Sequence, residues 1–163
     1  MIVSGILILT TGGTIDKLYF DALSEYRIGD SVVAQLLAIA RVSHPFRVQS
    51  LMRKDSLDLT DADRRLIADA AANASETRLI ITHGTDTMTE TAKALKDIPA
   101  KTIVLVGALA PARFAESDAA FNLGMAFAIA QTAPAGVWIT MSGTVFAADQ
   151  VRKDRAAAAF VPL

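Results

Sequence analysis

Three short segments hold residue types that could act together on one substrate. The first is Thr10-Thr-Gly-Gly-Thr-Ile15, directly after an apolar run. Paired glycines let the backbone turn sharply and approach a ligand closely, and Thr14 would then present a hydroxyl into a crevice. On pattern alone, a tight turn with no further role stands beside that reading. The segment is not a dinucleotide fingerprint, because G-x-G-x-x-G is missing, and not a P-loop, because no Gly-Lys-Ser/Thr closes it. The second segment is His83-Gly-Thr-Asp-Thr-Met88. Thr85 or Asp86 could cap a helix, but four polar side chains at one strand end exceed what capping requires. Backbone N–H groups at a helix start could also hold an anion or oxyanion. The third is Arg152-Lys-Asp-Arg155. A basic run is ordinarily a solvated face, but a lysine beside a threonine hydroxyl could accept its proton where burial or nearby charge lowers the lysine's pKa.

These segments need a scaffold, and the hydrophobic pattern predicts one. Strands are expected at Ile6 to Thr10, Phe46 to Leu51, Arg78 to Thr82, Thr102 to Val106 and Gly136 to Met141. Helices are expected at Ser31 to Ala40, Thr60 to Ala74, Thr87 to Lys96 and Ser117 to Gln131, with a further Ala-rich helix at Ala156 to Ala159. Thr60 with Asp63 three residues on is an acidic variant of the capping box. Alternating strands and helices predict a single α/β domain, a doubly wound, Rossmann- or flavodoxin-like three-layer fold with a mostly parallel sheet. The first two segments then fall at carboxyl ends of strands, where such sheets bind ligands. Thr11 to Asp30 has no convincing pattern, and a segment of that length is usually a functional lid or disordered.

Composition excludes several classes of function. The chain has 163 residues, 52% hydrophobic and 20% charged, with 16 basic and 17 acidic side chains. Disorder is excluded by the apolar content, and no basic stripe marks a nucleic-acid surface. No cysteine is present, so there is no disulfide framework, no Cys-based zinc site and no Cys nucleophile. Two histidines, His44 and His83, give no basis for a multi-histidine metal site on one helix face. No apolar run reaches the ~18 residues a membrane span needs. The apolar start, Met1 to Leu9, lacks a basic n-region and runs straight into Thr10-Thr-Gly-Gly-Thr14, so it reads as a buried strand and not a signal peptide. A cytoplasmic location is the expectation.

Thr11-Gly-Gly-Thr-Ile15 together with His83-Gly-Thr-Asp-Thr-Met88 resembles the two signatures of the bacterial-type L-asparaginase/glutaminase family. Val106-Gly-Ala108, Pro111, Ser117-Asp118, Phe121-Asn-Leu123 and Val151 to Lys153 extend the resemblance over essentially the whole chain. The resemblance implies that Thr14 is the nucleophile and that Tyr26 is the lid tyrosine paired with it, with Tyr19 a competitor for that place. It implies a hydrogen-bonded triad containing Thr85 and Lys153, with Asp86 holding the substrate α-amino group. It places the Ala108 carbonyl toward the amide nitrogen and Asp55 after the substrate-carboxylate loop. Arg53 stands where a serine is usual, and could bind a carboxylate, crowd the pocket or point outward.

The implied reaction is hydrolysis of L-asparagine to L-aspartate and ammonia through an acyl-enzyme, with no metal or organic cofactor. A related carboxamide hydrolase and a non-catalytic amino-acid-binding module are the alternatives. Family members usually run about twice this length, so residues 1–163 would be the N-terminal-type domain, without the smaller C-terminal one. The expected partners are a small-molecule substrate and a second copy of the chain, as a homodimer or higher homo-oligomer, with no nucleic acid and no membrane.

Overall fold

A computed structural model describes residues 4–163. Met1, Ile2 and Val3 of the apolar N-terminal run lie outside the described residues. The elements are β1 (Ile6–Gly12), β2 (Lys17–Phe20), β3 (Glu25–Ile28), α1 (Val33–Ile39), β4 (Phe46–Lys54), α2 (Asp61–Asn73), β5 (Arg78–Thr82), α3 (Met88–Leu95), β6 (Thr102–Val106), α4 (Ala119–Thr132), β7 (Gly136–Met141), β8 (Thr144–Ala147), β9 (Val151–Asp154) and β10 (Ala159–Pro162). The main sheet has the order β4-β1-β5-β6-β7-β8. Its first five strands are parallel and β8 is antiparallel to β7.

Burial on both faces explains why the central strands read as continuous apolar runs: every residue of β1 and β6 is buried. Successive side chains point to opposite faces. Leu7, Leu9, Leu79, Ile81, Ile103 and Leu105 pack under Ile67 and Ala71 of α2 and Met88, Ala92 and Leu95 of α3. Ile6, Ile8, Ile80, Val104 and Val106 pack under Val33 and Leu37 of α1 and Leu123, Ala126 and Phe127 of α4.

This distribution fixes the crossovers. The chain leaves β1 toward β4 over one face and returns past β1 to β5 over the other, so the carboxyl ends of β1 and β5 form the topological switch point. The β5–α3–β6 step runs in the same direction over the α2 face and keeps the same hand. The β6–α4–β7 step continues in that direction but over the α1 face, so its hand is opposite to the other three. Parallel crossovers are right-handed in about 98% of cases, which makes this one the left-handed exception. Its effect is to carry the β6–α4 loop across to the side of the sheet from which β2 and β3 project. There Ala108 and Ala119 pack with Ile15 in a small separate cluster.

Four expectations are corrected. Thr11 to Asp30 is neither patternless nor a long loop: it finishes β1, makes a 3₁₀ turn at Thr14–Asp16, and forms the β2–β3 hairpin. Strand β4 runs three residues beyond Leu51, to Lys54. Beyond β7, Ser142 and Gly143 both take positive φ, 52° and 84°. That two-residue turn twists as a hairpin requires and launches β8, which the sequence pattern did not predict. Ala156 to Ala159 is not helical. The Asp154 carboxylate accepts from the Ala156 and Ala157 N–H groups at 3.0 and 3.1 Å. Ala158 takes φ 48°, and the chain turns back as β10 against β9. The capping box does form. Thr60 N–H donates to Asp63 at 2.8 Å and Asp63 N–H to Thr60 Oγ1 at 3.2 Å. Lys54 Nζ adds a 2.9 Å bond to the same carboxylate, tying the start of α2 to the end of β4.

The switch point depends on small residues. Gly12 and Gly13 take φ 104° and 85°, and a Cβ on Gly13 would stand 2.4 Å from Gly84 N and 2.6 Å from Gly84 Cα. Gly13→Ala therefore combines a left-handed φ with a backbone clash that no rotamer relieves. It should cost at least about 2 kcal/mol of unfolding free energy by chemical denaturation. A variant as stable as the parent would mean that the two loops are not in contact.

Candidate active site

The site is built from loops at the carboxyl ends of β1, β4, β5 and β6. Gly13 N–H donates to Lys54 O at 3.0 Å, and a Cβ on Gly12 would lie 2.6 Å from that same oxygen. One strand over, Thr11 Oγ1 donates to Thr82 O at 2.7 Å. With the Gly13–Gly84 contact, these bonds seat the Thr14 turn against the His83–Thr87 loop. Thr14 itself is half-buried. No hydrogen bond among the described residues joins it to Thr85, Lys153 or Tyr26.

The His83–Thr87 loop is pinned from below and above. His83 N–H donates to Val106 O at 2.9 Å. The His83 ring is fully buried, with Nδ1 2.6 Å from Gly84 O and Nε2 2.7 Å from Thr91 Oγ1. A carbonyl only accepts, so Nδ1 carries the proton and Nε2 accepts from Thr91. Burial, reinforced by Arg64, pushes the imidazole down to about 4 despite the opposing bond to Gly84, which keeps it neutral in this role. Thr87 Oγ1 donates to Ser56 O at 2.7 Å. Neither Thr85 nor Asp86 caps α3: the N-cap position is Thr87, with no side-chain cap bond. That leaves the Thr85 and Asp86 side chains free for a different partner.

The partner is Lys153. Its ammonium donates to Thr85 Oγ1 at 2.7 Å and to Asp86 Oδ1 at 2.6 Å. The Lys153 side chain is only 13% exposed, against 35% for Asp86, so the ammonium end of the pair is the more buried. Strand alternation explains why one member of a basic run is inward: Val151 is buried in the core, Arg152 is exposed, and Lys153 is paired across the β9–β10 ladder with Phe160. Lys153 is therefore no solvated charge.

The fourth wall is Gly107-Ala108. A Cβ on Gly107 would meet His83 O at 2.5 Å and Thr85 Cγ2 at 3.2 Å. Asn122 Nδ2 donates to Gly107 O at 3.0 Å, while Asp118 accepts from Leu109 N–H and Ala110 N–H at 2.9 and 3.0 Å. Ala108, 1% exposed, is thus held between a Gly107 carbonyl and Leu109 and Ala110 amides that are already bonded.

The remaining predicted residues gather on the other side of the Thr14 turn, where Tyr26, Arg53, Asp55 and Lys17 line one open cavity. Tyr19 and Tyr26 are cross-strand partners on the hairpin, their rings 5.4 Å apart, and both are half-exposed. Tyr26 also packs edge-on against Phe114 at 6.0 Å; among the described residues Tyr19 has no aromatic partner but Tyr26. Arg53 is ion-paired with Asp30. Asp55 pairs with Lys17 at 3.2 Å and accepts from Leu57 N–H at 3.1 Å. Burial alone would raise the Asp55 carboxyl, but those partners hold it below its ordinary value.

One residue went unnoticed in the sequence. Ser56 is 2% exposed and its hydroxyl has no hydrogen-bond partner among the described residues. A Cβ on Gly84 would stand 2.6 Å from that oxygen. Because β4 continues to Lys54, Ser56 and not Arg53 lies beyond the strand's carboxyl end, against the Gly84–Thr85 loop. A Ser three residues after Arg53, just past the strand, was the signal.

Comparison with known proteins matches this geometry to a family. The model of the asparaginase N-terminal domain matches residues 5–160. The chain belongs to the asparaginase family. A glutaminase-asparaginase of Acinetobacter glutaminasificans is 30% identical over 92% of this chain and 50% of its own length. L-asparaginase 2 of Escherichia coli is 35% identical over 91% of this chain and 46% of its own. The thermostable L-asparaginase of Thermococcus kodakarensis superposes with a TM-score of 0.86 at 26% identity, over 98% of this chain and 51% of that one. The chain thus spans about half the length of the asparaginase relatives it matches. Among the described residues, no helix is long and apolar enough to cross a membrane.

The buried imidazole makes stability pH-dependent. In the unfolded chain His83 takes up its proton near 6.5, and in the folded chain only near 4. Between these values the unfolded state binds more protons, so stability is full above about pH 6.5 and falls as pH drops toward about 4. Thermal unfolding of the parent should show that decline, and His83→Gln should flatten it. Equal pH slopes for the two chains would contradict a buried neutral His83.

Proposed function

We propose that this chain is an amidohydrolase that cleaves the side-chain amide of L-asparagine, giving L-aspartate and ammonia through a threonine ester. The observation that supports it is the Lys153–Thr85–Asp86 cluster, one backbone contact away from Thr14. A pocket that only bound an amino acid would need no buried ammonium on a threonine hydroxyl.

In this reading the Thr14 hydroxyl attacks the carboxamide carbon. Thr85, accepting from Lys153, gives its own hydrogen to the departing nitrogen and takes the Thr14 proton in its place, so it ends the step with one hydrogen as it began. The C–N bond breaks, ammonia leaves and Thr14 carries the acyl group. Water then attacks the ester, Thr14 regains its hydrogen and aspartate is released. Splitting the reaction lowers each barrier, which a weak nucleophile requires. The substrate α-ammonium meets Asp86, which keeps one carboxylate oxygen free of Lys153. The Ser56 hydroxyl takes the place given to Arg53 for the α-carboxylate, since Arg53 is committed to Asp30. Tyr26 covers Thr14 from the hairpin, and the Ala108 carbonyl faces the amide nitrogen. Glutamine is the second substrate to test, because a relative's name pairs the two activities.

We assign the outward face of α4 to a second copy of the chain. The helix carries no charge, and Phe121 is 62% exposed.

Ammonia release from asparagine, glutamine and simple amides tests the reading. Thr14→Val and Lys153→Met should each lose at least ~100-fold in kcat with melting temperatures near the parent's. Thr14→Val activity within a few-fold of the parent would move the nucleophile to Thr85. A parent that binds asparagine without releasing ammonia would make the chain a binding module.

A further inference from the structure

Among the described residues the β2–β3 hairpin pairs only with itself, so its position depends on what holds its two stems. Gly29 N–H closes the base on Asp16 O at 2.9 Å. On the β4 side, two ion pairs each grip one stem: Lys17 with Asp55, and Asp30 with Arg53. Among the described residues, Arg113 alone grips both. Its Nη1 donates to Asp16 O at 3.2 Å and its Nη2 to Asp30 O at 3.0 Å. The rigid guanidinium fork sets the spacing of the two stems and their angle to the body in one interaction.

The neighbours of Arg113 extend the grip. Ala112 N–H donates to Ile15 O at 3.1 Å, directly after Thr14, and the Phe114 ring meets Tyr26 at 6.0 Å. Pro111 and Ala112 are anchored in turn through the Asp118-held loop that leaves Gly107-Ala108. One short segment therefore touches the turn of Thr14, the hairpin stems and the hairpin tyrosine. The left-handed β6–α4–β7 crossover brings it there.

We propose that Arg113 is a positioning residue that fixes Tyr26 and Thr14 relative to the Lys153–Thr85 pair by clamping the hairpin stems. It touches no reacting atom, and the assignment rests on the amidohydrolase reading. Misplacement by about 1 Å can cost on the order of 100-fold in rate. Arg113 has no part in the Asp86 and Ser56 contacts to substrate, so its loss acts on kcat and leaves KM alone.

Steady-state kinetics of Arg113→Met and Arg113→Lys, with amide hydrogen exchange on the same full chains, test the clamp. Arg113→Met should lower kcat by about tenfold or more with KM within about threefold. Amides of residues 17–28 should exchange about tenfold faster while the central strands keep their protection. Arg113→Lys, reaching one carbonyl instead of two, should recover part of kcat. An Arg113→Met enzyme within twofold of the parent in kcat, a change in KM alone, or unchanged exchange at 17–28 would overturn the proposal. Should the parent release no ammonia, the amidohydrolase reading fails, and the exchange rates alone decide whether Arg113 clamps the hairpin.

Discussion

Two backbones touch at Gly13 and Gly84 with no room for a Cβ between them, and the geometry of the site follows from that contact. It joins the loops that end β1 and β5 at the point where strand order reverses. Chain reversal opens a crevice at such a point in any doubly wound sheet; what this sequence adds is a way to narrow it. Glycines at 12, 13, 84 and 107 let four loop backbones approach closely enough for short side chains to share one centre. Threonine and serine suit that centre because they carry a hydroxyl on a single carbon, with little rotamer freedom to lose.

The charge in the site is organised by the same economy. A lysine only 13% exposed is costly unless paired. Lys153 has an aspartate and a hydroxyl for two of its three donors. It comes from a four-residue strand whose partner β10 ends the chain's described course, and Val151 secures that strand in the main core. Asp86 is held by Lys153 and still opens to solvent. Ser56 lies buried against Gly84, its hydroxyl unpaired among the described residues.

Much of this was legible in the sequence, for reasons that also explain what was not. Strands β1, β5 and β6 are buried on both faces, and that writes an unbroken apolar run. The start of α2 was legible because Thr60 and Asp63 exchange side-chain bonds with each other's backbone. The hairpin left no pattern, since β2 and β3 pair only with each other and much of their surface is exposed. Strands β8, β9 and β10 have four residues each, too few for a period to show. Arg53 was read as a candidate because it stands where the resemblance puts a serine; β4 runs on to Lys54, so Arg53 lies within the strand and Ser56 beyond its end. Arg113 was invisible for a different reason. Its acceptors are carbonyl oxygens, which every residue supplies and no residue type records.

In the proposed reaction Thr14, and not the lysine-bound Thr85, forms the bond to substrate. Quenching the chain during asparagine turnover and mapping its peptides by mass spectrometry addresses this directly. One added aspartyl group, as an ester, is expected on the peptide containing Thr14, and none in Thr14→Val. An adduct on the peptide containing Thr85, or continued turnover by Thr14→Val, would contradict it.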